Sequence, residues 1–248
     1  MTFKNLFFGT LLIIFFTSTL SSSAQFSVDF EGGYASSGYN DVRIPGNTGT
    51  KLSLSEELEA EDVEYYRLRL TFSLSDKSEL SLLYAPFKFQ SAGQLDRNVS
   101  FNNAEFSSDT PLKANYRFDS YRFSYRYLLY QTDSFRGKIG FTGKIRDAAI
   151  SLSDGVTISE KTNTGFVPLI YFSLDWSLSD KFGLLIEGDA LAAPQGRAED
   201  VLVSFYTSVS NNIKIRGGYR ILEGGADNDE VYTFALVNYY LLGITITL

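Results

Sequence analysis

The stretch Tyr121-Arg122-Phe123-Ser124-Tyr125-Arg126-Tyr127-Leu128-Leu129 changes character at every second residue. Tyr121, Phe123, Tyr125, Tyr127 and Leu129 fall on one side, and Arg122, Ser124, Arg126 and Leu128 on the other. A β-strand sends successive side chains to opposite faces, so the stretch reads as a strand with one aromatic face and one mostly polar face.

The same alternation recurs to either side. Phe26, Val28, Phe30 and Tyr34 oppose Ser27, Asp29 and Glu31; Tyr66, Leu68, Leu70 and Phe72 oppose Arg67, Arg69 and Thr71. Ile139, Phe141 and Ile145 oppose Thr142, Lys144 and Arg146; Ile213, Ile215, Tyr219 and Ile221 oppose Lys214, Arg216 and Arg220. The run at 166–178 is less regular, with Val167 and Leu169 on its polar side. Ten strands are predicted, at 25–37, 63–75, 79–91, 115–130, 137–152, 163–178, 182–192, 200–210, 212–223 and 230–248. The connections Ser75–Ser78, 131–136, Ser179–Lys181 and Asn211–Asn212 are short, whereas 38–62, 92–114, 153–162, 193–199 and 224–229 are mostly longer and polar. Short turns at one end and longer loops at the other are the layout of an outer-membrane barrel. One echo supports it: Phe72-Ser73-Leu74-Ser75-Asp76-Lys77 returns as Trp176-Ser177-Leu178-Ser179-Asp180-Lys181.

Composition narrows the chemistry. The 248 residues include no Cys and no His. That removes disulfides, thiolate metal sites and Cys nucleophiles, together with the commonest metal ligand and general base. The net charge of -7 argues against a duplex nucleic-acid partner, which needs a basic face. Lys4, the apolar run Leu6–Phe16 and the small residues Ser21–Ala24 form a secretory signal, with cleavage expected after Ala24. The expected organisation is a signal peptide over 1–24 and one barrel domain over 25–248. No later run is long enough for a membrane-spanning helix.

Alternation alone does not say which face points outward, because a lipocalin-like barrel would carry the pattern reversed. The export signal, the small and oppositely charged residues on the polar face, and the last strand favour aromatics outside. Tyr240, Leu242, Ile244, Ile246 and Leu248 share one face. This segment resembles the C-terminal targeting strand of bacterial outer-membrane proteins, with Leu248 standing where those chains usually have Phe or Trp. The pattern over 25–248 resembles small outer-membrane β-barrel proteins of the kind found in Bacteroidota. Its most distinctive segments are Gly188-Asp189-Ala190-Leu191-Ala192-Ala193-Pro194, Gly196-Arg197-Ala198-Glu199-Asp200 and Glu223-Gly224-Gly225-Ala226-Asp227-Asn228-Asp229-Glu230. The resemblance implies an all-β, closed antiparallel transmembrane barrel of ten strands, with eight or twelve as neighbouring counts and both termini periplasmic. It brings no activity with it.

Three groups of residues are candidates for function. Asp29, Glu31, Glu187 and Asp189 share the polar face with Arg67, Arg69, Arg122, Arg126, Lys144, Arg146, Lys214, Arg216 and Arg220. In a narrow lumen they would pair into a plug, since an unpaired buried charge costs several kcal/mol; alternatively they line a conduit or anion site. Asp227, Asp229 and Glu230 follow Gly224 and Gly225 and offer hard oxygen ligands of the kind calcium takes, or an ordinary solvated turn. Arg197, near Glu199 and Asp200, could clamp the 224–229 loop or meet a lipopolysaccharide phosphate. Phe101 and Phe106 stand among polar residues of the 92–114 loop.

The expected function is structural or ligand- and lipid-binding. The alternatives are a narrow pore for small solutes and, third, a His-free enzyme acting on envelope lipids. No catalytic residue and no cofactor are assigned. The expected partners are outer-membrane lipid, lipopolysaccharide and, through the last strand, the barrel-assembly machinery.

Overall fold

The computed structural model describes residues 25–194 and 196–248, so the expected signal segment 1–24 lies outside the described residues. Ten strands run antiparallel around a closed ring: β1 (Phe26–Arg43), β2 (Val63–Ser73), β3 (Ser78–Ala85 and Lys88–Gln94), β4 (Pro111–Gln131), β5 (Phe135–Ser153), β6 (Ile158–Ser177), β7 (Phe182–Ala193), β8 (Gly196–Ser208), β9 (Ile213–Asp227) and β10 (Tyr232–Thr247). β10 closes on β1 from Ser27↔Thr247 to Arg43↔Tyr232, and the Leu248 amide donates to the Phe26 carbonyl at 2.7 Å. Closure joins every strand to two neighbours along at least part of its length, which suits a strand assembly placed in hydrocarbon. Pro86, which has no amide hydrogen, separates the two pieces of β3.

Several strands run further than the alternation predicts. β1 continues to Arg43, β4 begins at Pro111, β6 at Ile158 and β8 at Gly196. In β1 a register shift between Ser37 and Tyr39 breaks the two-residue period, as a bulge does. The β6 extension Ile158–Thr162 carries polar residues on both faces, so no contrast marks it, and the β4 extension is only four residues long, with Leu112 and Ala114 inward. Consequently 154–157 and 228–231 are tight turns, and only 44–62 and 95–110 are long loops.

The outer surface is apolar. Phe141 is 69 % exposed, Phe205 66 % and Leu242 71 %. Tyr66, Tyr84 and Tyr121 sit side by side on neighbouring strands, with ring centroids 6.2 and 5.2 Å apart. One rung above this belt, Arg117 pairs with Asp119 at 2.9 Å and Asp147 at 2.6 Å. From Tyr121 to Leu129 the belt spans about nine residues of strand, the length a tilted strand needs to cross a bilayer.

The two long loops fold inward. Ile44, Leu52, Leu54, Leu58, Phe101 and Phe106 are all buried, and they pack with Val42, Phe89, Leu112 and Leu152 from the inner wall. Phe101 and Phe106 belong to a small hairpin, Val99–Phe101 with Ala104–Phe106, whose turn residues Asn102 and Asn103 lie at φ 45° and 66°. Asn tolerates this left-handed region better than most residues. The 95–110 loop is therefore an internal cap over the mouth, held by the burial of its two Phe side chains at roughly 1.5–3 kcal/mol each.

Candidate functional site

Below the apolar cap, nearer the termini, side chains from most of the strands meet in one ionic layer. Asp200 is its hub. Its carboxylate accepts from Arg67 Nη2 at 2.9 Å, Arg122 Nη2 at 2.6 Å and Arg220 Nη1 at 2.6 Å. Glu31 accepts from Arg220 Nε at 3.0 Å and Nη2 at 2.9 Å, from Arg216 Nη2 at 3.0 Å, and from the Tyr65 hydroxyl at 3.3 Å. Asp29 binds Arg216, with Nη2 at 2.9 Å. Arg69 reaches Glu187 at 2.6 Å, and Arg122 Nη1 reaches Asp189 at 2.7 Å. Thr142 donates to Asp189 at 2.6 Å and is itself tied to Ser124. Glu79 joins Lys138 at 2.7 Å and Arg126 at 3.5 Å, while Arg126 also lies over the Tyr171 ring at 4.2 Å.

Small inner residues make room for these groups. A Cβ on Gly243 would stand 2.6 Å from Arg216 Cζ. Every carboxylate in the layer accepts more than one donor, which offsets the several kcal/mol that each buried ion loses with its water.

The structure therefore brings Asp29, Glu31, Arg67, Arg69, Arg122, Glu187, Asp189, Arg216 and Arg220 into one set of ion pairs, with Arg126 beside it on Glu79. It treats the other three cations of the sequence set differently. Lys144 and Lys214 have no carboxylate partner among the described residues; their ammonium groups lie 5.2 Å from the Phe118 ring and 4.6 Å from the Tyr206 ring. Arg146 hydrogen-bonds Asn163.

Asp200 corrects the reading of 196–200 as a loop contact: it is 2 % exposed and belongs to the ionic layer. The signal was its two-residue step with Leu202, Ser204 and Tyr206, all buried on the same face. Glu79, in step with Ser81 and Leu83, was missed for the same reason. Arg197 does clamp the neighbouring strand, but through Glu223, with Nη2 at 2.7 Å from its carboxylate, and with the Tyr39 hydroxyl on the same acid. Asp227, Asp229 and Glu230 do not converge: Glu230 leans toward Lys161 at 3.7 Å, and no group of three acidic residues among the described residues could hold a metal ion.

Two cavities flank the layer. The upper one, about 870 Å³, lies beneath the cap and touches Phe87, Tyr116, Phe118, Lys144, Leu222 and Val237. The lower one, about 210 Å³, opens beside Asp29, Arg69, Arg126 and Lys214. They share no lining residue, and the ionic layer stands between them. The upper volume falls in the range of small-molecule sites.

No protein-family model and no curated protein sequence matches the chain. Among solved structures, the outer-membrane protease OmpT of Escherichia coli aligns over 93 % of this chain and 100 % of its own at 11 % identity, TM-score 0.54. The attachment invasion locus protein Ail of Yersinia pestis aligns over 92 % and 100 % at 9 % identity, TM-score 0.40. OprG of Pseudomonas aeruginosa aligns over 90 % and 95 % at 12 % identity, TM-score 0.37. The fold is thus that of the outer-membrane β-barrels, and the likeness to OmpT concerns the architecture alone.

Proposed function

We propose that this chain is an integral outer-membrane barrel, plugged across its middle, that binds a ligand in the cavity open toward the outside. The observation that carries this reading is the blind cavity of about 870 Å³ standing directly on an ionic floor in which every carboxylate is paired. The aromatic exterior supports the membrane placement, since a belt of that height and composition matches the apolar band of such barrels. In this orientation the short turns and both termini are periplasmic, the last strand serves as the signal to the assembly machinery, and lipid and lipopolysaccharide surround the belt. The role is structural or ligand-binding. With no His or Cys in the sequence, the usual outer-membrane enzyme mechanisms lack their key residues, so a lipid-modifying enzyme stands third.

A narrow pore is the second reading, favoured by the position of cavities on both faces of the same layer, which its removal would join. Planar-bilayer recording separates the two. The plugged barrel gives no steady single-channel steps; steps of constant size from the unmodified protein, altered by substitution of the layer, would establish the pore.

A further inference from the structure

The wall of the barrel is incomplete on one side. β6 and β7 pair only from Ile170↔Ala190 down to Ser177↔Gly183. Above that point β6 continues to Ile158 while held on one side only, by β5, and β7 turns into β8 after Ala193. Among the described residues, β6 from Phe166 to Leu169 therefore has no ladder partner on its β7 side, although β7 itself runs on to Ala193. Pro168 stands in this stretch, two residues above the last β6–β7 pair; proline brings no amide hydrogen and is tolerated where a strand is an edge. Phe166 and Pro168 point outward, Val167 inward, and all three border the same upper cavity. The cavity thus lies directly against a stretch of wall that lacks the β6–β7 hydrogen-bond ladder, which is where it can open sideways. Higher up, Lys161 on β6 meets Glu230 of the β9–β10 turn at 3.7 Å and bridges the gap from above.

The level of this opening is fixed by register. Phe166 pairs with Ile145, which pairs with Tyr121 of the aromatic belt, and the next outward pair up is Asp147↔Thr164 of the polar rung. The opening thus begins inside the apolar belt, just under its upper border. Bare backbone is tolerated at that depth only where it lines a cavity.

Just inside lie the cations left over from the ionic layer. Lys144 is in register with Val167 and Arg146 with Gly165, one strand in from the free edge. Lys144 is 2 % exposed, borders the cavity, and has no hydrogen-bond or carboxylate partner among the described residues. Arg146 crosses Gly165, where a Cβ would stand 3.2 Å from its Nη2, and its buried Nε has no partner. Beside them the cavity wall is apolar: Tyr116, Phe118, Ile150, Leu222 and Val237.

We infer that the opening between β6 and β7 admits an anionic amphiphile from the outer leaflet, its head group held by Lys144 and Arg146 and its apolar chain lodged beneath the cap. This rests on the ligand-binding reading above and adds to it the chemistry and the route. A buried cation without a counter-ion beside apolar walls asks for one negative charge attached to a hydrocarbon, and the lateral opening places that compound's own solvent at the door.

The test uses the full-length processed barrel in phosphatidylcholine vesicles and the fluorescent fatty acid cis-parinaric acid, with its uncharged methyl ester alongside. The acid should bind at least tenfold tighter than the ester. Lys144→Met with Arg146→Gln should erase that preference while ester binding and heat-modified gel migration persist, showing that the barrel is intact. Equal binding of acid and ester by the unmodified protein, or an undiminished preference in the variant, would overturn the head-group assignment. So would displacement of the acid by inorganic phosphate at concentrations comparable to the acid itself, which would mark a site for free anions. For the route, Val167→Cys with Ala193→Cys is bridged by a bis-maleimide; the native chain has no Cys to interfere. Bridging should slow loading at least tenfold. An unchanged rate would show access from the mouth and overturn the lateral route, while the plugged-barrel reading is judged separately by conductance.

Discussion

Arg122 of β4 and Asp200 of β8 meet at 2.6 Å although three strands stand between them round the ring. Such a bond runs across the lumen, and Arg67 and Arg220 converge on the same carboxylate from two other strands. The barrel is braced from within through one acid.

Removing that acid should therefore be costly. Asp200→Asn leaves three guanidinium groups facing a neutral amide, and breaking a buried pair this way costs about 3–5 kcal/mol. Urea unfolding from vesicles should show a loss of that size. A change below about 1 kcal/mol, the range of exposed pairs, would mean that Asp200 is not the hub.

Replacing a pair together should be milder than breaking it. Arg122→Met with Asp189→Leu removes both partners of one contact, and buried pairs exchanged for apolar groups are often neutral. The double variant should be more stable than Arg122→Met alone, since the single change leaves the buried Asp189 carboxylate without its cation, while the loss of one donor to Asp200 is common to both. A double-mutant cycle with no coupling would show that the two residues act independently.

The alternation made the barrel and its strand count legible, because apolar and polar residues separate cleanly in segments such as 121–129 and 139–146; the outward face came from the charges and small residues of the polar face, the export signal and the last strand. Asp200 was obscured for a physical reason: Arg197, Glu199 and Asp200 put charge on both faces of β8, so no contrast told strand from loop. Lys144 and Arg122 are alike in sequence, each on the polar face of an alternating strand. What separates them is which residue stands across the ring, and that depends on the relative heights of distant strands. The side opening is likewise a difference in length between β6 and β7, invisible in either strand alone. The inward fold of the 95–110 loop was hidden because its two aromatics, Phe101 and Phe106, stand among polar residues with no alternation to place them.

Those two aromatics offer a third prediction. Phe101→Ala removes a side chain 1 % exposed at the centre of the cap, and such truncations cost about 3–5 kcal/mol where the surroundings cannot collapse. Limited proteolysis should then cut within 95–110 while the strands stay protected. Unchanged resistance would show that the loop is held by other contacts.

Calcium should have no effect on the 224–230 turn. The side chains of Asp227, Asp229 and Glu230 do not form a ligand cluster. Melting curves with millimolar calcium and with a chelator should superimpose; a calcium-dependent rise abolished by Asp229→Asn would show that the turn rearranges around the ion.

The direction in which the aromatic rings point is best measured with single nitroxide labels on Phe123→Cys, Phe141→Cys and Phe205→Cys, each in the otherwise Cys-free barrel in vesicles. Dissolved oxygen, which concentrates in hydrocarbon, should collide with all three labels, and a water-soluble nickel chelate should not. Labels shielded from both reagents, as in a protein core, or open to nickel, as on a soluble surface, would contradict the membrane barrel and every role given to its lumen.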